Sequence, residues 1–118
     1  MESMDVIREE LRQPAIELQS LIPAVLRGFG EMSSAAMAEG ELSSALKELF
    51  AMVIAITREC DGCIVAHTRG AARKGATRQQ VAEAIGVAIA MNGGPGTVWG
   101  PRALRCFDEA VASRNAKE

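Results

Sequence analysis

The chain has 118 residues, 48% of them hydrophobic and 24% charged, with a net charge of −2. That length suits one domain, and the composition is too apolar for a disordered chain and too balanced to attract nucleic acid or an anionic membrane surface. Three Phe, one Trp and no Tyr disfavour both base-stacking modules and β-sandwich cores.

The opening MESMDVIREE has neither the basic start nor the apolar stretch of a secretory leader. The longest purely apolar run, Leu49 to Ile56, is well short of a membrane span. A cytosolic protein is therefore expected. Residues 3–12 carry apolar positions at Met4, Ile7 and Leu11 between charges, and Pro14 is expected to end that helix, leaving 15–22 as a short turn or helix. Pro23 suits the first turn of another helix reaching about Ala38, weakened by Gly28 and Gly30. Ser43 is a good N-cap for a helix over 44–58. This helix contains LFAMVIAI, is apolar all round, and is expected at the centre of the fold.

The next helix spans about 61–74, with Gly75 as its stop and Arg73 and Lys74 at the negative end of its dipole. Thr77-Arg78-Gln79-Gln80 is a capping box, and the helix it opens carries Val81, Ile85, Ala88 and Ile89 on one face. Asn92-Gly93-Gly94-Pro95-Gly96 breaks it, and a last helix over about 97–113 leads into the charged tail Arg114 to Glu118. The expected fold is all-α: one domain over 1–118, a compact bundle of roughly five to seven helices. Residues 1–40 form its N-terminal helices and 42–100 its motif-bearing core. The glycines at 93, 94, 96 and 100 lack a preceding strand and the spacing of a phosphate loop. Arg69, Arg73, Lys74 and Arg78 read as a solvated helix end. Abundant alanine allows close helix packing and favours extensive subunit interfaces.

Three cysteines in a cytosolic chain argue against a structural disulfide framework and for redox or metal chemistry. Cys60, Cys63 and His67, the only histidine, fall within about 60° of one another on a helix. Cys60 sits near the first turn, where free N–H groups stabilise a thiolate. It can close a disulfide with Cys63 across one turn, while His67 can take or give a proton near neutral pH. If the helices over 44–58 and 61–74 form a hairpin turning near residue 59, Glu48 and His67 are offset by three residues, roughly 4.5 Å along the axis. A glutamate spans that distance, and so apolar a helix makes Glu48 a candidate proton acceptor. Cys106 stands alone and reads as a structural thiol.

At these residues the chain resembles the carboxymuconolactone decarboxylase family, and within it the alkylhydroperoxidase-D-like (AhpD-like) branch. The resemblance is carried by Leu42-Ser43, Lys47-Glu48-Leu49, Cys60-x-x-Cys63-x-x-x-His67, Gly75-Ala76-Thr77, Glu83-Ala84-Ile85 and Gly93-Gly94-Pro95, over about residues 42–100. It implies an all-helical fold assembling as trimers or hexamers. It also implies a thiol-dependent hydroperoxide reductase that uses Cys60 and Cys63 as its redox pair and Glu48 and His67 as a proton relay. No cofactor is implied; the partners are a small hydroperoxide and a dithiol reductant or carrier protein. Gly62 departs from the best-studied branch, which has a second histidine there. Cys60, at the helix start, is expected to be the more exposed and attacking sulfur, with Cys63, nearer His67, as the alternative. Three rival readings follow from the same residues. A lactone-processing decarboxylase would use Glu48 and His67 with idle thiols, and a zinc site would use Cys60, Cys63 and His67 with Glu48 or Cys106. A thiol stress sensor would form the disulfide with little turnover.

Overall fold

The computed structural model describes residues 3–116, which form six α-helices and no strand. They are α1 (Met4–Leu21), α2 (Pro23–Met37), α3 (Ser44–Thr57), α4 (Asp61–Arg73), α5 (Arg78–Asn92) and α6 (Gly94–Ala116). No helix among them is long and apolar enough to cross a membrane. Lys117 and Glu118, the end of the expected charged tail, lie outside the described residues.

The bundle core is built by α3 to α6. Met52, Ile56, Ile64, Val81, Ala88, Ala103 and Phe107 are buried there, and much of the rest of the core is alanine. Small side chains let the helices approach closely, and the α5–α6 contact takes this furthest. A Cβ on Gly96 would lie 2.9 Å from the Ile89 backbone, and one on Gly100 would lie 2.7 Å from Ile85 Cγ2. These glycines make a bare stripe on α6 that seats α5. The break between the two helices is shorter than the sequence suggests: Gly93 alone, at φ 72°, makes the turn, and α6 begins at Gly94.

The caps read from the sequence are in place. Ser43 accepts the Leu46 N–H at 3.1 Å, and Thr77 and Gln80 form a reciprocal capping box. Pro23 stands at the first position of α2. Pro14, in contrast, does not end the first helix; α1 runs through it to Leu21. The ring removes one N–H and frees the Glu10 carbonyl, but both residues are exposed, so water can satisfy that carbonyl.

Helix α3, with its apolar run from Leu49 to Ile56, is only half buried. Glu48, Leu49, Met52, Ala55 and Ile56 face the core, whereas Leu46, Phe50 and Ile54 are exposed. With Val53, Ala84 and Val87 these three line an open apolar groove between α3 and α5. Helix α2 has no buried residue at all.

Candidate functional site

The site is made by the α3–α4 hairpin, so its geometry begins with the turn. Helix α3 closes with the Glu59 N–H donating to the Ile56 carbonyl and the Cys60 N–H donating to that of Ala55. This is a Schellman closure with Glu59 in the left-handed region at φ 53°. A glycine usually takes that position, because a side chain there costs about 1–2 kcal/mol. The same closure recurs after α4, where Gly75 takes the left-handed place at φ 87°. Replacing Glu59 with Gly is expected to raise the unfolding free energy by about 1 kcal/mol, read as a higher thermal midpoint; an unchanged or lower midpoint would show that the glutamate side chain stabilises the turn by other means.

Cys60 is the N-cap of α4, and its sulfur accepts the Cys63 N–H at 3.3 Å. The two cysteines are joined as a disulfide across one turn, with Cα atoms 5.3 Å apart. Cys63 is the exposed member and Cys60 the half-buried one. This reverses the expected order of exposure: capping folds the Cys60 sulfur over the first turn, whereas Cys63 projects outward.

His67 lies one turn beyond Cys63 on the same helix. Its Nδ1 is 2.9 Å from Glu48 Oε2, so the hairpin does bring glutamate and imidazole into contact. The Glu48 side chain is 10% exposed and that of His67 34%. A ring N–H at Nδ1 donating to the carboxylate leaves Nε2 as the basic nitrogen.

Two features of the site had no sequence signal. Asp61, the first residue of α4, is gripped by Arg102 of α6 through three hydrogen bonds of 3.0–3.2 Å. The Arg102 guanidinium also lies 4.8 Å from the centre of the Trp99 ring. A bare carboxylate next to a cysteine pair would oppose thiolate formation, and Arg102 neutralises it while fixing the first turn of α4 to α6. The second feature is Gly70, whose α-carbon faces the Glu48 carboxylate.

Cys106 on α6 is half-buried and unpaired. Burial, reinforced by Glu109 and Asp61, pushes its thiol up from 9.0 to about 11. Because the folded value is raised, the protonated thiol favours the fold below pH 9, and that contribution is lost as pH rises through 11. Iodoacetamide should therefore label Cys106 slowly at neutral pH, with half-maximal rate near pH 11 in place of 9; rapid labelling at pH 8 would contradict the shielding.

With Cys60 and Cys63 tied together, no three His, Cys, Asp or Glu side chains converge as metal ligands among the described residues. In the basic patch, Arg78 pairs with Asp108 of α6. Arg69 and Arg73 line an open groove beside Gly62 and Ala66, opposite Arg8 and Arg12 of α1.

Comparison with known proteins extends the resemblance beyond these motifs. The carboxymuconolactone decarboxylase family profile matches residues 23–108, from the start of α2 into α6. An uncharacterized protein of Cupriavidus necator is 42% identical over 86 residues, 73% of this chain and 76% of its own. The uncharacterized protein 4 in the cox locus of Paracoccus denitrificans is 38% identical over 81 residues, 69% of this chain and 73% of its own. The crystal structure of a carboxymuconolactone decarboxylase family protein from Legionella pneumophila superposes with a TM-score of 0.88 at 30% identity, covering 92% of this chain and 96% of that one. The profile matches residues 23–108 and the fold agrees over 92% of the chain, and the chain belongs to the carboxymuconolactone decarboxylase family.

Proposed function

We propose that this protein is a thiol-dependent hydroperoxide reductase of the AhpD-like branch. One observation carries the reading: the Cys60–Cys63 disulfide lies one helical turn from an imidazole that is itself held by a largely buried carboxylate. Glu48 keeps the His67 Nδ1–H in place, so Nε2 accepts the proton of a Cys63 thiol, directly or through one water. The Cys63 thiolate attacks the terminal hydroperoxide oxygen and the O–O bond breaks. The leaving alkoxide takes a proton from the imidazolium and departs as alcohol. The Cys60 thiol then attacks the Cys63 sulfenic acid as its proton passes to the leaving hydroxide, forming the disulfide and releasing water. Two electrons have passed from the thiol pair to the peroxide, and an external dithiol returns them by exchange. The exposure of Cys63 supports attack there, and the N–H that Cys60 accepts supports its role as resolving sulfur and leaving group. His67 is the only histidine, so with Gly62 in place of a second one the relay rests on it alone. A cytosolic setting, where dithiol carriers are kept reduced, suits this cycle.

The deciding experiment is a thiol map. Reduced protein is mixed with one equivalent of an organic hydroperoxide, alkylated, digested and weighed. Rapid formation of a Cys60–Cys63 disulfide with Cys106 still free is expected; both thiols remaining free while peroxide persists would defeat the reading. The Glu48–His67 contact does not depend on the sulfurs, so lactone turnover by a Cys60→Ser/Cys63→Ser protein would favour the decarboxylase instead. We also propose a homo-oligomer, trimeric or hexameric. The exposed Phe50, Ile54 and Val87 and the absence of any buried residue on α2 support it, and light scattering at micromolar concentration tests it.

A further inference from the structure

Helix α4 contains a glycine that its backbone does not require. Gly70 lies within the last turn of α4, is buried, and has no positive φ. Glycine is among the poorest helix formers, so an alanine would serve the helix better. The reason for the glycine lies across the hairpin. A Cβ built on Gly70 would stand 2.5 Å from Glu48 Oε2 and 2.6 Å from Oε1, and would also overlap the carboxylate carbon. Gly70 follows His67 by three residues, on the same face of α4. The carboxylate thus rests in a notch with the imidazole as its wall and the bare α-carbon of Gly70 as its floor.

From this geometry we infer that Gly70 is a positioning residue: its missing side chain is the seat that holds the Glu48 carboxylate against His67 Nδ1. The inference rests on the reading of Glu48 and His67 as the proton relay. A methyl group at position 70 meets the far end of a flexible side chain, not backbone. The carboxylate swings aside, the contact with Nδ1 breaks, and the fold survives. Neutral imidazole released from the carboxylate is free to move its proton to Nε2, and the basic nitrogen that the proposed relay uses is lost.

The test compares Gly70→Ala, Glu48→Ala and the double variant in the full-length reduced protein. Gly86→Ala, on α5 where a Cβ meets nothing within 4 Å, is the control. Two readouts are taken: the rate of Cys60–Cys63 disulfide formation with cumene hydroperoxide, and the 15N signals of the His67 ring, which report the tautomer. Gly70→Ala is expected to slow disulfide formation at least about tenfold and to change the ring signals as Glu48→Ala does, while Gly86→Ala changes neither. Adding Gly70→Ala to Glu48→Ala should cost no further rate and should raise the melting midpoint, because the methyl now has room. Wild-type ring signals and rate in Gly70→Ala would overturn the seat. Altered ring signals in Gly70→Ala, together with a wild-type rate in Glu48→Ala, would uphold the seat and overturn the relay. If Gly70→Ala alone does not fold, recovery of folding in the double variant upholds the seat, and failure of both overturns it.

Discussion

A Cys63→Ser protein should form no internal disulfide with a hydroperoxide and should lose turnover by several orders of magnitude, since the sulfur proposed to attack is gone. Cys60→Ser should behave differently. Its Cys63 remains exposed and one helical turn from His67, so one equivalent of peroxide is consumed. The product, a sulfenic acid carrying one added oxygen, then has no partner to resolve it. Neither change should endanger the helix, because serine at position 60 is a better N-cap than cysteine. Intact-mass spectrometry after a single addition of peroxide separates the two variants. Catalytic turnover by Cys63→Ser would refute the two-thiol cycle, and the opposite pattern of oxidation would move the attack to Cys60.

Glu48→Gln is expected to slow disulfide formation by about 10²- to 10⁴-fold with the helices intact. The amide matches the carboxylate in size, so the notch beside His67 stays filled. The charge that steadies a protonated imidazole is lost, however, and the amide N–H₂ can donate to Nδ1, which favours the wrong tautomer. Stopped-flow measurement of disulfide formation, alongside circular dichroism to confirm the helices, checks this. A rate within twofold of wild type would remove Glu48 from the mechanism and leave His67 to act alone.

The motif-bearing half of the chain was readable because its signals are local. Ser43, Thr77-x-x-Gln80 and Gly75 act on the backbone within a few residues, and the helix boundaries follow them closely. The hairpin register needed only the rise per residue, which is why Glu48 and His67 were found within reach of each other although nineteen residues separate them. What stayed hidden depends on partners far along the chain or on solvent. Asp61 and Arg102 are forty-one residues apart, and nothing near either predicts their pairing. Gly70 has no meaning in the sequence until the carboxylate opposite it is seen. Glu59 occupies a place where the pattern calls for glycine. Pro14 misled because its cost depends on whether the freed carbonyl meets water. The apolar run of α3 misled because hydrophobicity alone does not tell the core of one chain from an outward face.

The disulfide bridges residues only three apart, and this bears on how the fold would withstand the proposed cycle. A cross-link stabilises mainly by removing freedom from the unfolded chain, and so short a ring removes little: roughly 2 kcal/mol, against about 4.7 for a loop of 100 residues. Folding therefore rests on the α3–α6 core and not on the bond, so the bond could break and re-form in the proposed cycle while the chain stays native. Oxidised and reduced protein should both unfold cooperatively, with midpoints separated by no more than several degrees. A reduced form that melts at room temperature would make the pair a structural staple instead.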